Sequence, residues 1–291
     1  MKFKKSVIDL IKIRKSIRNY DSNKLKLEDK KGIIDFIKKE HNTVFGCGLR
    51  FEFIDASDLN PDDLKNLGTY GLITGAKYFV AGTIKKNNKN YCLVDFGYVF
   101  EKIILFITDL GLGTCWLGGT FNKKGFSKKV LLEKDEVIPG VSPVGIISKK
   151  RNLKSTIIRT LAGSKNRRPW DKLFFNDGFL NQLDESDSGS YKEPLEMVRI
   201  APSASNIQPW RIIKEKNKNI FHFFIKKSKY YQRKPGLNLQ YIDMGISLCH
   251  FELVASELNL KGKWEVKDGI QENKKYDIPS NVDYIISWNG S

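Results

Sequence analysis

The chain repeats itself. Val94 to Trp116 and Ile242 to Trp264 align at a fixed offset of 148 residues, with identities at Asp95/Asp243, Gly97/Gly245, Leu105/Leu253, Leu110/Leu258, Leu112/Leu260 and Trp116/Trp264. Phe96, Phe100, Ile103, Ile107 and Leu110 recur every three or four residues, and so do Met244, Leu248, Phe251, Ala255 and Leu258. That period predicts two amphipathic helices of about five turns. Gly111 and Asn259 fall at the same place just past each helix. They are the residue types that best tolerate the left-handed conformation closing a helix. A short strand ending in tryptophan is expected after each. A repeat of this length constrains the chain to two related units, each with a core of its own.

The remaining pattern fills in both units. Val7, Ile8, Leu10, Ile11 and Ile13 predict an amphipathic first helix, and further helices are expected over 28–39, 154–161 and 194–200. Strands are expected at 48–54, 77–82, 140–147, 208–213, 221–225 and 284–288. Asp184 to Ser190 is polar and apolar-free, which reads as a connection between units. The expected division is 1–175 for the first half, 176–190 for a linker and 191–291 for a shorter second half.

Cys47, Cys92, Cys115 and Cys249 form no C-x-x-C pair, and His41, His222 and His250 are scattered. Buried reduced thiols in a cytoplasmic protein, and no metal site, are the expectation. No apolar run approaches the length of a membrane span. The net charge is +17, but ten of the fifty basic residues are Arg and the rest are Lys spread along the chain. No basic stretch interleaves with aromatics, so a solvated lysine-rich surface is expected rather than a specific nucleic-acid interface.

Two segments carry concentrated chemistry. Arg14, Lys15, Ser16, Ile17 and Arg18 place Arg, Ser and Arg at spacing two. In an extended segment these three point to one side, and guanidinium with hydroxyl suits a phosphate. The same residues also suit a solvated basic helix end. Ala201 to Trp210 is small and polar, framed by Pro202 and Pro209. Ser203 or Ser205 could open a helix or turn, Gln208 suits bonding to nearby backbone, and Trp210 suits the core. Leu117, Gly118 and Gly119 look like a strand end where glycine lets backbone approach a ligand, or a tight turn. The first unit has no counterpart of the Pro-Ser-Ala-Ser-Asn run, and the second has no Arg-x-Ser-x-Arg.

These residues resemble the nitroreductase family of flavoproteins. Arg14 to Tyr20 is similar to the family's R-[RK]-S-[IV]-R-x-[YF]. Ala201 to Arg211 is similar to A-P-S-x-x-N-x-Q-P-W-[RH], and Leu110 to Gly119 to its G-L-G-[ST]-x-W-[IL]-G-G strand. In ordinary members the A-P-S segment comes shortly after the basic motif; here it follows the G-L-G strand. That order resembles a subgroup with two family-like halves fused in one chain. The resemblance implies an α+β fold in which each half carries a sheet flanked by helices, acting as a pseudo-dimer within one monomer, with a further dimer not excluded. It also implies FMN as cofactor, with one complete site per chain and a dead second site around 40–47.

Residue by residue, the resemblance implies that Arg14 and Ser16, with Lys15 nearby, take the phosphate and ribityl chain, and that Arg18 faces the N1/C2 carbonyl edge. Leu117, Gly118 and Gly119 would meet the N5/O4 edge. Pro202, Ser203, Ala204 and Ser205 would meet the dimethylbenzene and ribityl side, and Arg167 and Arg168 would close over the phosphate. The implied activity is ping-pong transfer of hydride from NADH or NADPH to an electron-poor small molecule such as a nitroaromatic or quinone, with no catalytic side chain. Alternatives are a dehalogenase or cofactor-biosynthesis dehydrogenase of the same superfamily, a flavin-binding or flavin-storage protein without turnover, and a polyanion-binding protein.

Overall fold

The computed structural model describes residues 3–59, 67, 69, 71–86, 89–149, 166–228 and 237–291. The expected helix over 154–161 lies outside the described residues. The chain divides into two compact units, Met1–Ala162 and Gly163–Ser291.

The first unit holds helices α1 (Val7–Ile13), α2 (Leu27–Lys38), α3 (Lys89–Asp109) and α4 (Lys123–Lys129), and strands β1 (Leu49–Asp55), β2 (Tyr78–Lys85), β3 (Gly113–Thr114) and β4 (Glu136–Gly145). The strands form one antiparallel sheet in the order β1-β2-β4-β3. β2 is buried along nearly its whole length, because both faces of the sheet are covered. On one face Phe51 stacks with Phe96 and Phe100 of α3. On the other, Phe79 meets Phe126 of α4 edge to face, within a cluster that includes Phe121 and Val141. α1 begins where Ser6 accepts the Asp9 amide, and the Asp109 carboxylate at the end of α3 accepts the amides of Lys4 and Lys5.

The second unit holds α5 (Lys192–Arg199) and α6 (Leu239–Glu257), with strands β5 (Phe174–Asn176), β6 (Trp210–Lys214), β7 (Ile220–Lys226), β8 (Gly262–Glu265) and β9 (Val282–Gly290). Its sheet runs β5-β6-β7-β9-β8, with β5 parallel to β6 and every other pair antiparallel. α6 is buried over most of its length, and Phe251 gathers Tyr191, Phe221, Phe223, Trp264 and Trp288 around it. Leaving out β5, the strand order β6-β7-β9-β8 repeats β1-β2-β4-β3.

The helix ends repeat too. Gly111 has φ +78° and Asn259 φ +59°. Gly111 N donates to Thr108 O and Leu112 N to Ile107 O; at the offset of 148, Asn259 N donates to Ser256 O and Leu260 N to Ala255 O. Both are complete Schellman closures. The strands that follow differ, since β3 stops short of Trp116 while β8 includes Trp264.

Two expectations need correction or relocation. Cys47 and Cys92 are not reduced thiols but a disulfide, their Cα atoms 5.4 Å apart, a separation that permits the bond. The sequence conceals this pair because its members are 45 positions apart. Cys115 and Cys249 are free and buried. Residues 176–190, expected as the linker, fall inside the second unit. Phe174 pairs with Ile212 and Asn176 with Lys214, and Glu185–Tyr191 is a 3-10 helix with Ser188 and Tyr191 buried. Its polar composition belongs to a surface turn of the unit.

Candidate functional site

In the first unit the basic segment is laced against the end of the sheet. α1 stops at Arg14, whose ψ of 126° turns the chain extended. Ser16 then bridges Thr114 in parallel, with Ile17 N donating to Thr114 O at 2.8 Å. Thr74 N donates to Arg18 O and Tyr20 N to Thr74 O, both at 2.9 Å, and the Tyr20 hydroxyl returns to Ile17 O. A side chain at Gly113 would meet Ile17 within 3.0 Å, so this residue must be glycine for the segment to lie so close. Ile17 and Tyr20 face the core and Lys15 faces solvent.

Arg14, Ser16 and Arg18 have one neighbour in common. All three act on the buried thiol of Cys115. Burial raises that thiol's pKa, while Arg18, a hydrogen bond from Ser16 and Arg14 each oppose the rise. The Arg14 side chain is 7% exposed, and its Nε lies 3.7 Å from Glu101 Oε1. Arg14 Nε and Nη1 and Arg18 Nη1 are buried with no hydrogen-bond partner. Unmade guanidinium bonds in a buried place are costly, and an anion or an electron-rich ligand edge repays them. Leu117 pairs with Val141 through two bonds of 3.0 Å. Gly118 is half-buried and Gly119 is exposed with open space around it.

In the second unit the A-P-S segment is a tight, unusual turn. Ala204–Asn206 is a 3-10 turn, and Ser205, Asn206 and Gln208 have φ of +50°, +54° and +51°. Three left-handed non-glycine residues in four cost energy and persist only where surroundings over-determine them. Those surroundings come from 166–168. Asn206 Nδ2 donates to Asn166 O at 2.7 Å, Arg167 Nε to Ile200 O at 3.1 Å, and Arg167 Nη1 to Asn206 Oδ1. Arg168 N donates to Gln208 Oε1 at 2.7 Å, and Gln208 Nε2 to Asn206 O at 3.0 Å. Ser203 stands at the head of the turn, but its hydroxyl accepts from Gln208 N at 2.9 Å rather than capping the turn. From α6 the buried Asp243 accepts the Ala204 amide at 2.9 Å. Trp210 is fully buried.

Arg14, Ser16 and Arg18 are thus brought together in the first unit, and Arg167 and Arg168 meet Ser203 to Gln208 in the second. The sequence reading missed Glu101, Cys115, Asn166 and Asp243. Of these, Asp243 carried a signal, its identity with Asp95 across the repeat.

Two sheets that share one antiparallel strand order apart from β5, each backed by a long buried helix with the same closure, together with the basic and A-P-S segments, define a nitroreductase-type α+β protein. The chain belongs to the family described as "Putative TM nitroreductase", whose model matches residues 6–255. The crystal structure of a putative nitroreductase from Thermotoga maritima shares the fold with a TM-score of 0.60 and 18% identity, over 99% of this chain and 95% of that one. An FMN-dependent nitroreductase from Clostridium difficile R20291 is 18% identical, covering 50% of this chain and 90% of its own, with a TM-score of 0.41. A nitroreductase with bound FMN from Bacteroides fragilis NCTC 9343 is 16% identical over 51% of this chain and 92% of its own, also at 0.41. No curated protein matches the chain. No described helix is long and apolar enough to cross a membrane.

Proposed function

We propose that this protein is an FMN-dependent oxidoreductase of two family-like halves that uses NADH or NADPH to reduce an electron-poor small molecule such as a nitroaromatic or quinone. Family membership supports the class of reaction. The observation that carries the cofactor is the set of buried nitrogens without hydrogen-bond partners on Arg14 and Arg18, in the segment that matches the family's phosphate motif. When bound, FMN supplies the chemistry, accepting a hydride from the nicotinamide and passing it to the acceptor.

The residues of the chain bind and orient. Arg14 and Ser16, with Lys15 beside them, hold the phosphate and ribityl chain, and Arg18 stabilises negative charge on the N1/C2 carbonyl edge. Gly118 and Gly119 offer backbone to the N5/O4 edge, and Leu117, whose own amide and carbonyl bond Val141, anchors them there. Pro202, Ser203, Ala204 and Ser205 offer backbone and hydroxyl groups to the ribityl and dimethylbenzene side. Arg167 and Arg168 add positive charge, although both also make bonds that hold the 200–208 backbone. The duplicated topology supports two halves of common origin, of which one retains the basic motif and the other the A-P-S segment.

The test is the visible spectrum of the purified protein, with the ratio of FMN to chain. One FMN per chain, lost in Arg14→Ala with the fold intact, supports the reading. A colourless protein that takes up no added FMN overturns it. Flavin that is bound but not reduced by NADH or NADPH without oxygen indicates flavin storage instead.

A further inference from the structure

Asp95 and Asp243 occupy one position of the repeat, yet they are satisfied in different ways. In the first unit the Asp95 carboxylate collects the amides of Val44 at 2.7 Å, Phe45 at 2.9 Å and Cys47 at 3.0 Å. In the second unit, among the described residues, Asp243 Oδ1 accepts only the Ala204 amide, and Oδ2 is buried with no hydrogen-bond partner. A buried carboxylate with one donor is poorly stabilised, whereas the neutral acid needs far less. The turn that Asp243 holds contains the three left-handed residues Ser205, Asn206 and Gln208.

We propose that Asp243 is a positioning residue that holds the 203–206 turn in its ligand-ready shape as the un-ionised acid, and that its ionisation loosens the turn. Asp95 shows how a buried carboxyl at this position is better satisfied: burial raises its pKa, and several backbone amides oppose that rise. The amides of Asn206, Ile207 and Gln208 cannot supply them to Asp243 without giving up Ser203 O, Ala204 O and Ser203 Oγ, to which they donate. The inference rests on the proposed role of 202–205 in binding FMN.

Burial pushes the Asp243 carboxyl up to about 8, and the Ala204 amide opposes that rise. Among the described residues no charged group opposes that rise, and the titratable groups of the packed elements have partners of their own. Arg199 of α5 pairs with Glu196, and Arg211 of β6 donates to Gln208 O and Trp210 O. His222 of β7 bonds Glu215 and Ser287, and His250 of α6 bonds Met197 O. The sign follows. An acid whose folded pKa is raised contributes a stability loss that grows as pH rises from the ordinary carboxylate range to about 8.

The experiment measures the FMN dissociation constant by flavin fluorescence from pH 6.5 to 9.5 for wild type, Asp243→Asn and Asp243→Ala. Urea unfolding of the flavin-free proteins over the same range runs alongside. Wild type is expected to weaken about tenfold or more across that range. Asp243→Asn, a permanently neutral acceptor, is expected to bind within about threefold of wild type at pH 7 and to lose the pH step. Asp243→Ala is expected to bind about tenfold more weakly at every pH. Flavin-free wild type is expected to lose stability toward pH 8 relative to Asp243→Asn. A flat wild-type profile, or the same step in Asp243→Asn, overturns the proposal, as does Asp243→Asn binding as weakly as Asp243→Ala. If wild type binds no FMN at any pH, the flavin reading fails, and the urea comparison alone decides whether Asp243 is held neutral.

Discussion

The indole N–H of Trp116 donates to Glu101 Oε2 at 2.6 Å, and the other oxygen of that carboxylate lies 3.7 Å from Arg14 Nε. Trp116 thereby fixes a fully buried carboxylate, which serves as countercharge to the arginine of the basic segment. The second unit repeats the first half of this arrangement. Trp264 Nε1 donates to Glu252 Oε2 at 2.6 Å, although Glu252 stands one helical turn away from the position that the repeat assigns to Glu101.

Removing the countercharge strands a buried cation. Glu101→Gln keeps an acceptor for the indole but leaves Arg14 without an opposite charge. A cost of about 3 kcal/mol is expected for the flavin-free protein, read by urea unfolding. If FMN phosphate reaches Arg14, it supplies the missing charge, so the deficit shrinks with saturating FMN and the variant binds FMN more tightly than wild type. An equal deficit with and without FMN removes Arg14 from the phosphate site.

The disulfide anchors the loop that Asp95 fills. Cys47 lies within the loop whose amides reach Asp95, and Cys92 sits three residues before Asp95 on α3. With 45 residues of separation, closing this loop is worth about 3–4 kcal/mol through the entropy of the unfolded chain. Reductant is expected to lower the urea midpoint of wild type and to leave Cys47→Ser/Cys92→Ser unchanged. Equal midpoints for wild type with and without reductant exclude a stabilising bond.

The sequence reading found what is local and periodic. Gly111 and Asn259 announced both helix closures, because the left-handed conformation admits few residue types. The period-two placement of Arg14, Ser16 and Arg18 is consistent with all three acting on Cys115. What escaped depends on partners remote in sequence. β5 has three residues and becomes a strand only beside β6. The Cys47–Cys92 bond and the Glu101–Arg14 pair have no spacing signature. Asn166, Arg167 and Arg168 could be read as a basic spot, but not as the residues that bond Asn206 and Gln208.

A buried polar chain in the second sheet predicts acid sensitivity. His222 Nδ1 bonds Ser287 Oγ at 2.7 Å, its Nε2 bonds Glu215 Oε1 at 3.0 Å, and the Tyr276 hydroxyl joins at 3.0 Å. Burial lowers the His222 pKa, with Glu215 opposing. Glu215 is itself held low, because Lys218 and His222 outweigh its burial. A histidine with a lowered folded pKa contributes stability above its ordinary value, and this is lost as pH falls below about 6.5. Glu215 adds a further loss as pH falls through the carboxylate range. Wild-type stability is therefore expected to fall between pH 7 and pH 5, and His222→Gln, which cannot take up the proton, is expected to flatten that slope. A slope unchanged in His222→Gln assigns the acid sensitivity to other groups.

Gly113 links the packing of the first unit to its proposed chemistry. A Cβ there would stand 2.9 Å from Ile17 Cγ1 and 3.0 Å from Ile17 Cβ. Ile17 lies between Ser16 and Arg18, and its amide is fixed to Thr114 O at 2.8 Å. Gly113→Ala can be accommodated only by moving Ile17, and its neighbours move with it. Overpacking of this kind costs about 1–3 kcal/mol, which leaves a folded protein. The shift turns Ser16 and Arg18 away from their present side, so FMN affinity is expected to fall by about tenfold or more, since a phosphate contact demands close geometry. Gly48→Ala, outside the proposed flavin site, is the control. A side chain there meets no atom within 4 Å, and stability is expected to stay within about 0.5 kcal/mol of wild type. If Gly113→Ala loses stability while FMN binding is unchanged, the segment from Ser16 to Arg18 is not what holds the flavin.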